Sequence, residues 1–179
     1  MKKRILFIAM TFSLIVTGQK IKVNEVDKFT KQHVIETSFE KIVSDNNLMG
    51  STGGRLMKNI WVGIKQVGDK NYLRIKWCSN QVLALGEGAH IILLDKDGNT
   101  YKFENTTFTV AGLGEGTVGF AGSAIYGLNI YFTGDLSALI NKEITDMRIH
   151  TTEGYIDFAV SKNKTGIFGE LYNIVKQAN

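Results

Sequence analysis

From His33 onward the apolar residues fall in short runs, alternating with polar ones at every second place and separated by turn residues. That is the period of a pleated strand with one buried face, and a succession of such runs predicts an all-β sandwich or barrel. The clearest pair spans residues 59–77. Ile60, Val62 and Ile64 alternate with Asn59, Trp61, Gly63 and Lys65. After Val67-Gly68-Asp69-Lys70, Leu73, Ile75 and Trp77 alternate with Tyr72, Arg74 and Lys76. A hairpin turning on Gly68-Asp69 sets Ile64 against Leu73, Val62 against Ile75 and Ile60 against Trp77, all on one side. Trp61 then lies across from Lys76 on the other.

The same texture continues along the chain. A run at 33–44 carries Val34, Phe39, Ile42 and Val43, and a loop rich in Gly, Asn and Ser follows at 45–56. His90–Leu94 and Thr100–Glu104 form a second hairpin around Asp95-Lys96-Asp97-Gly98-Asn99. Residues 111–127 hold six of the 19 glycines and read as a loop leading into a strand near Ile125–Phe132. Asp135 is placed to cap a short helix near 136–141 with Leu136, Leu139 and Ile140 inward. Ile144–Thr151 and Tyr155–Val160 pair around Glu153-Gly154. A helix from about 163 to 176 closes the chain, with Ile167, Phe168, Leu171, Ile174, Val175 and Ala178 on one face. The expected fold is a mainly antiparallel β-sandwich, or a rolled, partly open barrel, with that helix packed on it.

The N-terminus changes where this domain is expected to be. Met-Lys-Lys-Arg precedes an apolar run over 5–16, the layout of a cleavable export signal. The run is shorter than the roughly 20 residues of a permanent span. Cleavage is expected after Gly18, leaving a polar lead-in at 19–32 and one domain over 33–179, periplasmic or secreted. The 21 Lys+Arg against 17 Asp+Glu become 18 against 17 once Lys2, Lys3 and Arg4 leave, so the net charge falls from +4 to +1. A near-neutral chain lacks the cationic field that nucleic acid requires. Cys78 is the single cysteine, so an exported domain would hold together by its core without an internal disulfide. The chain contains no proline, a weak sign against a jointed multi-domain protein.

Five groups of residues suggest chemistry. Leu113-Gly114-Glu115-Gly116-Thr117-Val118-Gly119 matches a nucleotide-loop pattern but is followed by neither the helix of a dinucleotide fold nor kinase motifs. The alternating carboxylates of Asp95 and Asp97 suggest a calcium loop without its distal glutamate, and an Asp-Gly turn explains them better. His33, His90 and His150 are far apart in sequence with no metal-ligand spacing, so neither metal nor cofactor is expected. Turning on Glu153-Gly154 sets His150 opposite Asp157 with Arg148 alongside, a pair able to do acid–base work in a hydrolase. The outer face of the first hairpin gathers Trp61, Lys65, Tyr72, Arg74 and Lys76, side chains that stack on a sugar ring, hold an anion or seat a protein.

The segments DKFT…ETSFEKI, DKDGN and EITDMRIHTTEGYIDFAV, with a following amphipathic helix, resemble small exported bacterial β-rich proteins. The closing hairpin and helix are also similar to the end of pleckstrin-homology-like barrels. Neither resemblance implies an activity, because a fold does not carry one. The expected function is a non-catalytic exported module that binds a protein or a glycan. The alternatives are a hydrolase using His150 and Asp157, and a structural subunit of an envelope assembly.

Overall fold

The computed structural model describes residues 20–43, 59–79, 83–113 and 126–179. The leader at 1–18, the loop at 45–56 and residues 114–119 of the glycine motif lie outside the described residues. The strands are β1 (Ile21–Val26), β2 (His33–Thr37), β3 (Glu40–Val43), β4 (Asn59–Val67), β5 (Lys70–Ser79), β6 (Ala84–Leu85) and β7 (His90–Asp95). They continue as β8 (Thr100–Asn105), β9 (Thr109–Val110), β10 (Gly112–Leu113), β11 (Tyr126–Thr133), β12 (Ile144–Thr151) and β13 (Gly154–Ala159). A 3-10 turn at Leu136–Leu139, a second at Lys162–Lys164 and helix α1 (Ile167–Ala178) complete the order.

The fold is mainly antiparallel β, as the alternation predicts. The main sheet runs β1-β2-β4-β5-β11-β8-β7-β12-β13, with β3 added to β4 and β10 to β11, while β6 and β9 form a separate ribbon. Its terminal strands β1 and β13 do not pair with each other, so the sheet is not closed into a barrel. It bends into two layers at β11, which follows β5 along its length but meets β8 only at Phe132–Asn105 and Thr133–Glu104. The layers then face one another. Ile60, Ile64, Leu73, Ile75 and Trp77 of the first, with Ile91, Leu93, Met147, Ile149 and Phe158 of the second, form one continuous core. Ser161, just past β13, donates its N–H to the Ile42 carbonyl of β3 at 2.8 Å, bringing the far edges together.

The β4–β5 register is the expected one, Ile64 to Leu73, Val62 to Ile75, Ile60 to Trp77, around Gly68 at φ 54. The β12–β13 register is not. Thr151 pairs with Gly154, so Thr152 and Glu153 form the turn and every partner moves by two residues. Gly154, at φ 120, opens the strand rather than sitting in the turn. The Thr151 hydroxyl fixes this choice, accepting from Glu153 N–H and donating to the Gly154 carbonyl, both at 3.2 Å. A two-residue slip leaves each side chain on its face and changes only its neighbour.

The lead-in is also more ordered than its composition suggests. Ile21 and Val23 alternate with Lys22 and Asn24, and this short pattern forms β1 on the edge of β2. At the other end, Asp135 caps the Leu136–Leu139 turn by accepting from the Ser137 N–H at 3.0 Å. Helix α1 buries Ile167, Phe168, Leu171 and Val175, while Ile174 is half-exposed. Gly169 lets α1 settle directly on the Leu139 carbonyl, where a Cβ would collide. No helix among the described residues is long and apolar enough to cross a membrane.

Candidate ligand-binding face

The strand pleat that sends Ile60, Val62 and Ile64 inward sends Trp61, Gly63 and Lys65 outward, beside Lys76, Arg74 and Tyr72 of β5. The structure therefore brings all five predicted residues onto one outer face. Arg74 is buried there, and Trp61, Lys65, Tyr72 and Lys76 are half-buried.

Four further residues, not assigned to it from the sequence, complete that face. Glu36 of β2 bonds Lys65 Nζ and Arg74 Nη1, each at 2.7 Å. Burial would raise its carboxyl, but the Lys65 hydrogen bond and the Arg74 charge hold it below its ordinary value. Tyr131 of β11 lies edge-on to Tyr72 at 6.4 Å and under the Arg74 guanidinium at 5.3 Å. Lys41 of β3 stands over the Trp61 ring at 5.5 Å. Phe39, from the β2–β3 link, lies over Gly63, with Arg74 and Lys76 each 4.6 Å from its ring centre. A β-branched residue at 63 would suit the strand better, but a Cβ there would sit 3.3 Å from the Phe39 ring. The alternation marks Gly63 as an outward position. What it cannot show is that glycine is needed to admit a ring from a neighbouring strand.

Among the described residues the face thus interleaves Lys41, Lys65, Arg74 and Lys76 with Phe39, Trp61, Tyr72 and Tyr131, against the single carboxylate of Glu36. Among those described residues its cations exceed its carboxylates by three, although the whole chain is only mildly basic. The deep pair of Arg74 and Glu36 organises the aromatic rings. Trp61 and Lys41 stand nearer the solvent at the rim.

The second candidate pair is not set directly opposite, although the His150 charge still reaches Asp157. His150 lies opposite Tyr155, whereas Asp157 lies opposite Arg148. Arg148 grips Asp157 with both arms of its guanidinium, Nε to Oδ1 at 2.6 Å and Nη2 to Oδ2 at 2.7 Å, and stacks over Tyr155 at 3.9 Å. These bonds hold the Asp157 carboxyl below the usual range. A groove of about 310 Å³ beside them is lined by Ile92, Leu94 and Asp146 together with the Arg148–Asp157 pair. His150 instead stacks on His90, with ring centres 4.0 Å apart, so two of the three histidines that are distant in sequence are neighbours in space.

The Asp95-Lys96-Asp97-Gly98-Asn99 segment is a turn. The Asp95 carboxylate accepts from the N–H groups of Asp97 and Asn99, from the Asn99 amide and from the Tyr101 hydroxyl, at 2.8 to 3.3 Å. Burial pushes its carboxyl up, but these donors outweigh that and hold it at about 2.

No protein-family model matches the chain, and neither a curated protein nor a solved structure matches it.

Proposed function

We propose that the chain is an exported, non-catalytic binding module, and that the Trp61 face takes an acidic glycan. The observation that carries the proposal is the placing of cations over aromatic rings on that one face, where cations outnumber carboxylates among the described residues. A sugar ring presents C–H groups that pack on an indole, and an acidic sugar adds the anion that lysines attract. Arg74 and Glu36 act as the rigid support, because both are largely enclosed and bonded to one another. Trp61 and Lys41 are the groups placed to touch a ligand. The basic and apolar start of the chain supports export.

The test is direct titration of the purified domain with neutral and acidic oligosaccharides at two ionic strengths. Binding restricted to the acidic set and weakened by salt supports the reading. Equal binding to the neutral set, or none to either, contradicts it.

A further inference from the structure

His90 opens β7 and His150 lies near the end of β12, strands that neighbour one another. One step beyond the Ile149–Ile91 pair their imidazoles stand side by side, centres 4.0 Å apart and planes tilted by 33°. Both are half-buried on the outer face of the second layer. The Nε2 atom of His150 is buried and has no hydrogen-bond partner among the described residues. Such an orphan is costly in a folded protein and calls for an explanation.

His90 supplies the second half of the arrangement. Its ring is hydrogen-bonded to the Gly88 backbone, and because the Gly88 N–H is already given to Asn105, the Gly88 carbonyl is the acceptor. Gly88 sits at φ 76, and its own N–H is tied to the Asn105 carbonyl at 3.1 Å, so that carbonyl is firmly placed. One nitrogen held by a backbone oxygen leaves the other to offer a lone pair, which is how metal-ligating imidazoles are oriented.

From these observations the geometry points to a site for a divalent transition metal held between His90 and His150, with water completing its coordination. Among the described residues no three His, Cys, Asp or Glu side chains gather as a metal cage, so the two imidazoles must carry the site. Around them Glu104, opposite His90, is paired with Lys102 at 3.4 Å, and Asp157 with Arg148. The charges facing the pair therefore largely cancel and do not repel a dication. A site of two imidazoles should follow the order of nitrogen ligands, with Cu²⁺ bound more tightly than Ni²⁺ or Zn²⁺. This inference is independent of the Trp61 face.

The test is titration of the whole protein with Cu²⁺, following visible absorption and the broadening of imidazole C–H signals in NMR. His90 and His150 should broaden first. His33, whose Nε2 is 2.6 Å from Asn24 Oδ1, should broaden later or not at all. His90→Gln or His150→Gln alone should weaken binding at least as much as the roughly 10–100-fold loss on removing an outer partner. Broadening of His33 first, uniform broadening of all three, or variants that leave the isotherm unchanged would overturn the assignment. Because broadening is read on the unaltered protein, a variant that fails to fold does not decide the matter.

Discussion

The indole of Trp77 on β5 meets the ring of Phe158 on β13 edge-on, centroids 5.2 Å apart and planes at 83°. The two residues belong to different layers, and both are almost wholly enclosed. Their contact is therefore a direct measure of whether the sheet folds over on itself. Phe158→Ala is expected to lower the unfolding free energy by about 3–5 kcal/mol, the cost of an unfilled aromatic cavity. Urea denaturation checks this, and a loss below about 1 kcal/mol would place Phe158 outside the core.

The seat of α1 gives a second prediction. Leu171 is fully buried, so Leu171→Asp places a charge in the core and should abolish the cooperative thermal transition. Lys176→Asp, on the exposed side, should leave that transition in place. Gly169→Ala is intermediate, since its methyl meets the Leu139 carbonyl and the helix must shift, at about 1–3 kcal/mol. Calorimetry of the three variants should rank them in that order.

Asp95 sets an acid limit on stability. Its carboxyl is held at about 2, below the ordinary 3.8, so it binds a proton less readily folded than unfolded. Its contribution is present above the unfolded value and is lost as pH falls from about 4 towards 2. Denaturant midpoints measured across that window should fall for the parent protein. They should fall less steeply for Asp95→Asn, which has no such proton to take up. Parallel slopes would mean that other carboxylates carry the acid sensitivity.

The β4–β5 hairpin was legible to the residue, because strict alternation and a Gly-Asp turn leave one register that buries Ile60, Ile64 and Trp77 together. The β12–β13 hairpin was legible only as to face. Moving the turn from Glu153-Gly154 to Thr152-Glu153 keeps the pattern, and the Thr151 hydroxyl that decides between them leaves no periodic signal. That slip moves Asp157 from opposite His150 to opposite Arg148. The five outward residues around Trp61 were visible for the same reason as the core beneath them. Phe39, Glu36, Lys41 and Tyr131 were not, because they arrive from β2, β3, β11 and a link whose lateral order alternation does not encode. The His90–His150 stack was hidden likewise by distance along the chain.

Gly63 ties fold and face together. Gly63→Val should push Phe39 off the strand, since even its Cβ would lie 3.3–3.4 Å from the ring and from Thr37 Oγ1. The expected result is a moderate loss of stability, about 1–3 kcal/mol, with a larger proportional loss of ligand affinity. Denaturation and ligand titration on one sample separate the two effects. Unchanged affinity would show that Phe39 takes no part in shaping the site.

The most direct test of the binding account is acidic-oligosaccharide titration by calorimetry of the parent protein, Trp61→Ala and Lys41→Glu. Arg74→Ala is a poor probe, because it leaves the half-buried Glu36 carboxylate with Lys65 alone and confuses binding with folding. The account predicts that both rim variants keep the parent's melting transition and lose ligand affinity by roughly tenfold or more, the scale of one stacking or charge contact. Parent-like affinity in both folded variants would contradict it, and the Trp61 face would then be structural surface.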